Sequence, residues 1–161
     1  PDFAKVKVEI RHSSMAYLES VEQSTREIAQ AAAMATQTQV QITPVAHIYN
    51  TTINDAMGAL LMECAEKFAC DGIAPPRKNC GSTDFGAVTH RLPSCCLRVK
   101  TIETDDPPHT DAWVKTGKEA RAHQGIYDGA VCCALAAFRL VTDEAAWQDV
   151  YQCFLAHQKE N

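Results

Sequence analysis

The sequence has no run of Lys or Arg, and its net charge is −5. A nucleic-acid or anionic-membrane partner therefore has no electrostatic support. Long hydrophobic runs are missing too. The longest apolar stretch, near Ala130 to Leu140, is rich in Ala and Cys and shorter than the roughly 20 residues that a bilayer crossing needs. No secretory signal opens the chain; the first residues run straight into a strand-like pattern. H-E-x-x-H, P-loop, nucleophile-elbow and dinucleotide motifs are all missing, so no short motif names a chemistry outright. No two C-x-x-C pairs occur at ligand spacing, which leaves a zinc knuckle without support. There is no internal repeat and no low-complexity tract.

What is present reads as a globular protein. The 161 residues suit one domain or two small lobes, with 46% apolar and 22% charged side chains. The eight cysteines include two adjacent pairs, Cys95-Cys96 and Cys132-Cys133, and several fall among Ala, Leu and Met on helix faces. Free Cys packs as a small apolar residue, so reduced, mostly buried thiols in a cytoplasmic protein are expected rather than a disulfide framework.

Residues 5–11, KVKVEIR, alternate strictly and predict a half-buried strand. Ser13 or Ser14 can cap a helix that carries Leu18, Val21, Thr25, Ile28 and Ala32 at helical spacing to about Ala35. QVQIT, residues 39–43, alternates again before Pro44. The first fifty residues thus read strand–helix–strand. A second helix is expected from about Asn54 to Phe68, with Met57, Leu60, Leu61, Cys64 and Phe68 inward. Pro75-Pro76 excludes helix in the loop that follows. LRVKTI, 97–102, predicts another strand. Helices are expected over roughly Glu119 to Val141 and beyond a cap at Thr142 or Asp143, the last with Trp147, Val150, Tyr151, Phe154 and Leu155 inward. Two strands make no stable sheet alone, so further strands are expected from the same chain or another, which points to dimerisation.

Two histidines stand out by context. His90 lies in GSTDFGAVTHRLP, where Gly81 and Gly86 bracket Ser82, Thr83 and Asp84. Such a loop lets backbone approach a ligand closely; equally, Asp84 could cap local N–H groups in a tight connection. His109 lies in DDPPHTDAW, where Asp105, Asp106 and Asp111 make a metal site conceivable and a solvated acidic loop the plain alternative. Cys95-Cys96, Cys96 above all, could carry a thiolate beside either histidine if a thiol pKa were lowered.

Together these segments resemble the C-terminal half of the aminoacylase/carboxypeptidase family of two-metal amidohydrolases. They look most like its branch acting on aminobenzoyl-glutamate and unusual dipeptides. GSTDFGAVTHRLPS, then LRVKTI, then HTDAW and an Ala-rich helix match the branch's G-S-T-D-x-G-x-V-[ST] and H-T-x-x-[FYW] order; KVKVEIRHSS, EIAQAAAMATQ and AHIYNTTIND match its lid strand, lid helix and return segment. The resemblance runs from Pro1 to about Asp143.

The resemblance implies an α+β fold: a lid-type strand–helix–strand unit over 1–47, which also dimerises, and the C-terminal part of an α/β amidohydrolase catalytic domain over 48–161. It implies metal-assisted amide hydrolysis, with two ions polarising the carbonyl and activating a water while a glutamate moves the proton. By position, His109 matches the last metal ligand and Arg11 the lid arginine that holds a substrate carboxylate. Gly81, Ser82 and Asp84 match the loop lining the substrate side, and Tyr49 and Asn54 fall at the lid junction. The family's H-x-D pair, bridging Asp, Glu-Glu pair and lid histidine have no counterpart, and Cys96 stands where the branch usually has histidine.

Three readings follow. In the first, a truncated amidohydrolase hydrolyses dipeptides or N-acyl amino acids only when a missing N-terminal half is supplied, with zinc or manganese; the isolated chain would hold no metal. In the second, a repurposed enzyme of specialised metabolism runs isomerase- or cyclase-type acid/base chemistry through His90, Asp84, His109 or Cys96, with Arg11 or Lys100 on an anion. In the third, a non-catalytic module dimerises or binds. The expected partners are a small molecule carrying a carboxylate and either a second copy or a catalytic half, with no nucleic acid and no membrane.

Overall fold

Ser14 starts the first helix by accepting a hydrogen bond from the Tyr17 N–H, which satisfies one of the open donors of the first turn. The helix, α1, runs Met15–Ala35. It ends in a paired cap: the N–H groups of Gln37 and Thr38 reach back to the carbonyls of Met34 and Ala33 at 3.3 and 2.9 Å. This cap needs a left-handed residue, and Gln37 takes that role with φ 55°. The remaining helices are α2 (Asp55–Ala65), α3 (Gly86–Thr89), α4 (Asp111–Thr116), α5 (Ala120–Thr142) and α6 (Glu144–Gln158). The computed structural model describes residues 2–68, 72–75 and 81–158.

The α+β expectation is overturned. Among the described residues there is no strand, and 5–11, 39–43 and 97–102 pair with no ladder. Neither the lid-type strand–helix–strand unit nor the sheet of an α/β catalytic part is present; the described chain is helical with irregular connections. Alternation records which side chains would share a face. A ladder also needs a neighbouring backbone in register, and that neighbour is not encoded in the alternating segment. Val6 and Val8 are accordingly 81% and 62% exposed.

The described residues fall into two compact units. The first takes those within 1–52 and 81–91, the second those within 53–80 and 92–159. Between residues 2 and 52 nothing is buried, and in the first unit only Gly86 and Thr89 are. Its internal order rests on hydrogen bonds.

The second unit has a true core. Leu60, Leu61 and Cys64 of α2 bury against Ala136 of α5, with Met57, Met62, Cys95, Leu97, Leu135 and Leu140 packed around them. Asn54 caps α2 through its Oδ1, and Val150 of α6 is 1% exposed. Phe68 lies past the end of α2 and is exposed. On α6, Trp147 and Tyr151 are also exposed, and stack on each other with centroids 5.5 Å apart.

The apolar stretch at 130–140 belongs to α5, a 23-residue helix that is long and apolar enough, by length and composition alone, to cross a membrane. Here it packs against α2 and α6. A side chain at Gly125 would strike the Lys100 carbonyl at 2.6 Å, and one at Gly129 would touch Val99 at 3.4 Å. Those two glycines are what lets segment 99–101 lie on the helix.

Asp143 joins α5 to α6. One carboxylate oxygen accepts from the N–H groups of Ala145 and Ala146, and the other from Arg139 Nε at 2.8 Å. The Arg139 hydrogen bond, chiefly, holds the Asp143 carboxyl below its ordinary pKa. The six described cysteines are free: Cys64 and Cys132 are buried, Cys95 and Cys153 half-buried, Cys96 and Cys133 exposed. The thiols are thus less buried than expected. Burial raises the pKa of Cys95 and of Cys132. Cys70, Cys80 and Pro76 lie outside the described residues.

Candidate functional site

The first unit gathers several residues that the sequence singled out. Arg11 Nη1 donates to Ser82 Oγ at 2.8 Å, across 71 residues of chain. The other guanidinium arm, Nη2, donates to Glu9 Oε2 at 3.1 Å. Glu9 also lies 3.6 Å from Lys7 Nζ. The Arg11 hydrogen bond, then Lys7, lowers the pKa of the Glu9 carboxyl. The cluster is well exposed, and an ion pair in that setting holds its partners weakly. Arg11 therefore presents one donor fixed by a hydroxyl and one arm on a carboxylate that another anion can displace.

Two residues further on, the Ser13 carbonyl accepts from Asn50 Nδ2 at 2.7 Å. The Asn50 Oδ1 in turn meets His90 Nε2 at 2.8 Å. His90 follows α3, so one short stretch, 11–13, is tied to both ends of the GSTD…TH segment. The Tyr49 ring lies beside the His90 ring, centroids 5.4 Å apart, and meets the His47 ring edge-on at 5.1 Å.

The backbone beneath is held by threonines. Thr52 donates its N–H to Thr89 Oγ1 at 3.0 Å and its hydroxyl to the Thr89 carbonyl at 2.9 Å; Thr89 Oγ1 donates to the Gly86 carbonyl at 2.8 Å. Thr89 is only 2% exposed, and its hydroxyl is used in both directions. Gly86 is needed for the approach, because a Cβ there would run into the carbonyls of Tyr49 and Asn50.

Two further candidates of this unit, Gly81 and Asp84, take no part in these bonds. Gly81 is exposed, with open space where a side chain would stand. Asp84 is exposed; its carboxylate accepts from the Thr83 hydroxyl at 3.4 Å, and the Phe85 N–H turns to Thr83 Oγ1 rather than to Asp84.

In the second unit, Asn54 is 3% exposed with both ends of its amide engaged inside the protein: Oδ1 accepts from Met57 N–H and Nδ2 donates to the Val150 carbonyl, each at 2.9 Å. Cys96 is exposed and belongs to the second unit, whereas His90 belongs to the first. Lys100 pairs with Glu103 at 2.8 Å.

His109, also in the second unit, is exposed and has φ 68°. That left-handed conformation is uncommon outside glycine, though histidine adopts it more readily than most residues. With Pro108, Thr110, Asp111, Trp113 and Val114 it lines an open cavity of about 510 Å³. The Trp113 indole N–H is anchored to the Asp106 carbonyl at 3.0 Å, and the Asp106 carboxylate accepts from Thr104 at 2.6 Å.

Among the described residues no three His, Cys, Asp or Glu side chains come together as a metal site. The described residues thus offer no grouping that fits a dinuclear centre by itself. Sequence reading also missed Asn50, Thr52 and Thr89, which organise the first unit's cluster. Nothing in YNTT or AVTH marks them, because their partners lie 37 to 40 residues away.

No protein-family model matches the chain, and no curated protein is significantly similar to it.

Proposed function

We propose that this chain supplies the carboxylate-recognising side of an amidohydrolase-type site. The substrate class is a small molecule with a free carboxylate, such as a dipeptide or N-acyl amino acid. The observation that carries the reading is the Arg11–Ser82 hydrogen bond. It joins an arginine and a GSTD loop that resemble substrate-lining parts of that family. A guanidinium and a hydroxyl side by side offer several N–H and O–H donors to one carboxylate, and charge-assisted bonds of this kind are the strong ones.

In this reading His109 is a position for a metal ligand, zinc or manganese, and its backbone strain is the kind that persists where a side chain must be aimed. One such ligand is no metal centre. Amide hydrolysis then appears only when the remaining ligands and a general base are supplied by other protein, whether a further segment or a second polypeptide.

Calorimetric titration with an N-acetyl amino acid and with its carboxamide tests the recognition step. The carboxylate is expected to bind and the carboxamide not. Arg11→Met should weaken binding by about tenfold or more, the worth of a charge-assisted hydrogen bond. Equal affinity for acid and amide would remove the reading.

A second reading, association with another copy, is favoured by the exposure of Phe3, Val6, Val8, Ile28 and Met34, all in the first unit. Sedimentation velocity at micromolar concentration checks it, and a monomer there would count against it.

A further inference from the structure

We infer that the outer face of α5 is an interface between two copies of this chain, packed antiparallel about Ala134. The helix carries two apolar seams on opposite sides. Ala122, Gly125, Cys132 and Ala136 form the buried one, inside the second unit. Half a turn away, Tyr127, Ala130, Ala134, Ala137 and Val141 recur at alternating spacings of three and four residues, and all are exposed. That is the spacing of a coiled-coil seam. A helix that is apolar on every side is stable when every side is covered. Ile126 and Phe138 flank the outer seam; Phe138 is 67% exposed and Val141 86%. Charge between 126 and 141 is confined to Asp128 and Arg139, which project to the other side of the helix. Both are used within the unit: Asp128 accepts from Gln124, and Arg139 pairs with Glu63 and Asp143. The outer face thus suits an apolar helix and offers no charge to a charged partner.

Its sequence fits a second copy of itself. A twofold axis through Ala134 sets Ala134 against its own copy, Ala130 against Phe138 of the other chain, and Tyr127 against Val141. Alanine at the crossing lets the backbones approach, and each large side chain meets a smaller one. A parallel pair would instead stack Phe138 on Phe138 and leave Ala130 facing Ala130 across a gap. The area agrees. Ile126, Tyr127, Phe138 and Val141 together expose roughly 500 Å². A twofold contact covers that area on both chains, which reaches the roughly 1,000 Å² a specific interface needs. This surface lies in the second unit, so it is separate from the exposed apolar residues of the first and from the carboxylate reading at Arg11.

Sedimentation equilibrium of the full chain at micromolar concentration is expected to show a dimer. Phe138→Glu and Ala134→Glu, both at exposed positions, should each weaken it by about tenfold or more with the far-ultraviolet circular dichroism unchanged. Val8→Glu, in the first unit, should leave it intact. Tyr127→Glu and Val141→Lys should each weaken the dimer, and the two together in one chain should restore it. Only antiparallel packing sets each introduced charge against its opposite, and a restored dimer shows that the single variants had lost association and not their fold. A wild-type monomer overturns the inference. So does a dimer that survives both glutamate substitutions on α5, or one that the paired charges fail to restore. A monomer that binds phosphatidylcholine vesicles through this face would assign it to lipid and overturn the inference as well.

Discussion

Asn54 shows how one amide can carry two jobs. It caps α2 with its oxygen and ties α6 to α2 with its nitrogen, at 3% exposure. Asn54→Ala should remove the cap and leave the Val150 carbonyl without its donor. A loss of about 2 kcal/mol is expected, a cap plus one buried hydrogen bond. Asn54→Asp keeps the cap alone and should recover about half of it. Urea unfolding monitored by circular dichroism checks both. The contrast with Asn50 is instructive. Both residues sit in the sequence YNTTIND, and nothing in that string says which amide caps a helix and which faces an imidazole. The difference comes from partners brought in from far along the chain, Val150 for one and Ser13 and His90 for the other.

At the scale of elements, helices were legible and strands were not, for one reason. Helical order is local. Ser14, Asn54 and Asp143 bond to N–H groups two or three residues on, and the stripe Leu60, Leu61, Cys64 follows from spacing alone. The short helices α3 and α4 escaped because four and six residues are too few for a periodic signal. KVKVEIR reads as a strand with equal clarity, yet a strand is a relation between two segments. The candidate site divides in the same way. Arg11 stood out by the resemblance and the GSTD loop by its small residues, whereas their meeting across 71 residues was not visible.

The end of α1 offers a direct check on local reasoning. Gln37 occupies a left-handed position that costs an ordinary side chain about 1 kcal/mol and costs glycine almost nothing. Gln37→Gly should therefore stabilise the last turn of α1 by about 1 kcal/mol. Slower amide exchange at position 37 and at Thr38, whose N–H groups close the cap, is the measurement.

At the scale of the whole molecule, the two units are built on different principles. One buries leucine, cysteine and alanine between three helices; the other, among its described residues, buries only Gly86 and Thr89 and is laced by hydrogen bonds. Local opening should follow that difference. Hydrogen exchange is expected to be faster along α1 than along α2, α5 and α6, despite the length of α1. Equal protection in the two would show that something covers the exposed apolar residues of the first unit in solution.

The threonine and asparagine lacing has a thermal consequence as well. Heat-capacity change on unfolding comes from apolar surface meeting water, and polar exposure opposes it. The first unit has little apolar surface left to expose. Its loosening should appear in a calorimeter as a gently sloping baseline, and the excess-heat peak should belong to the three-helix core alone.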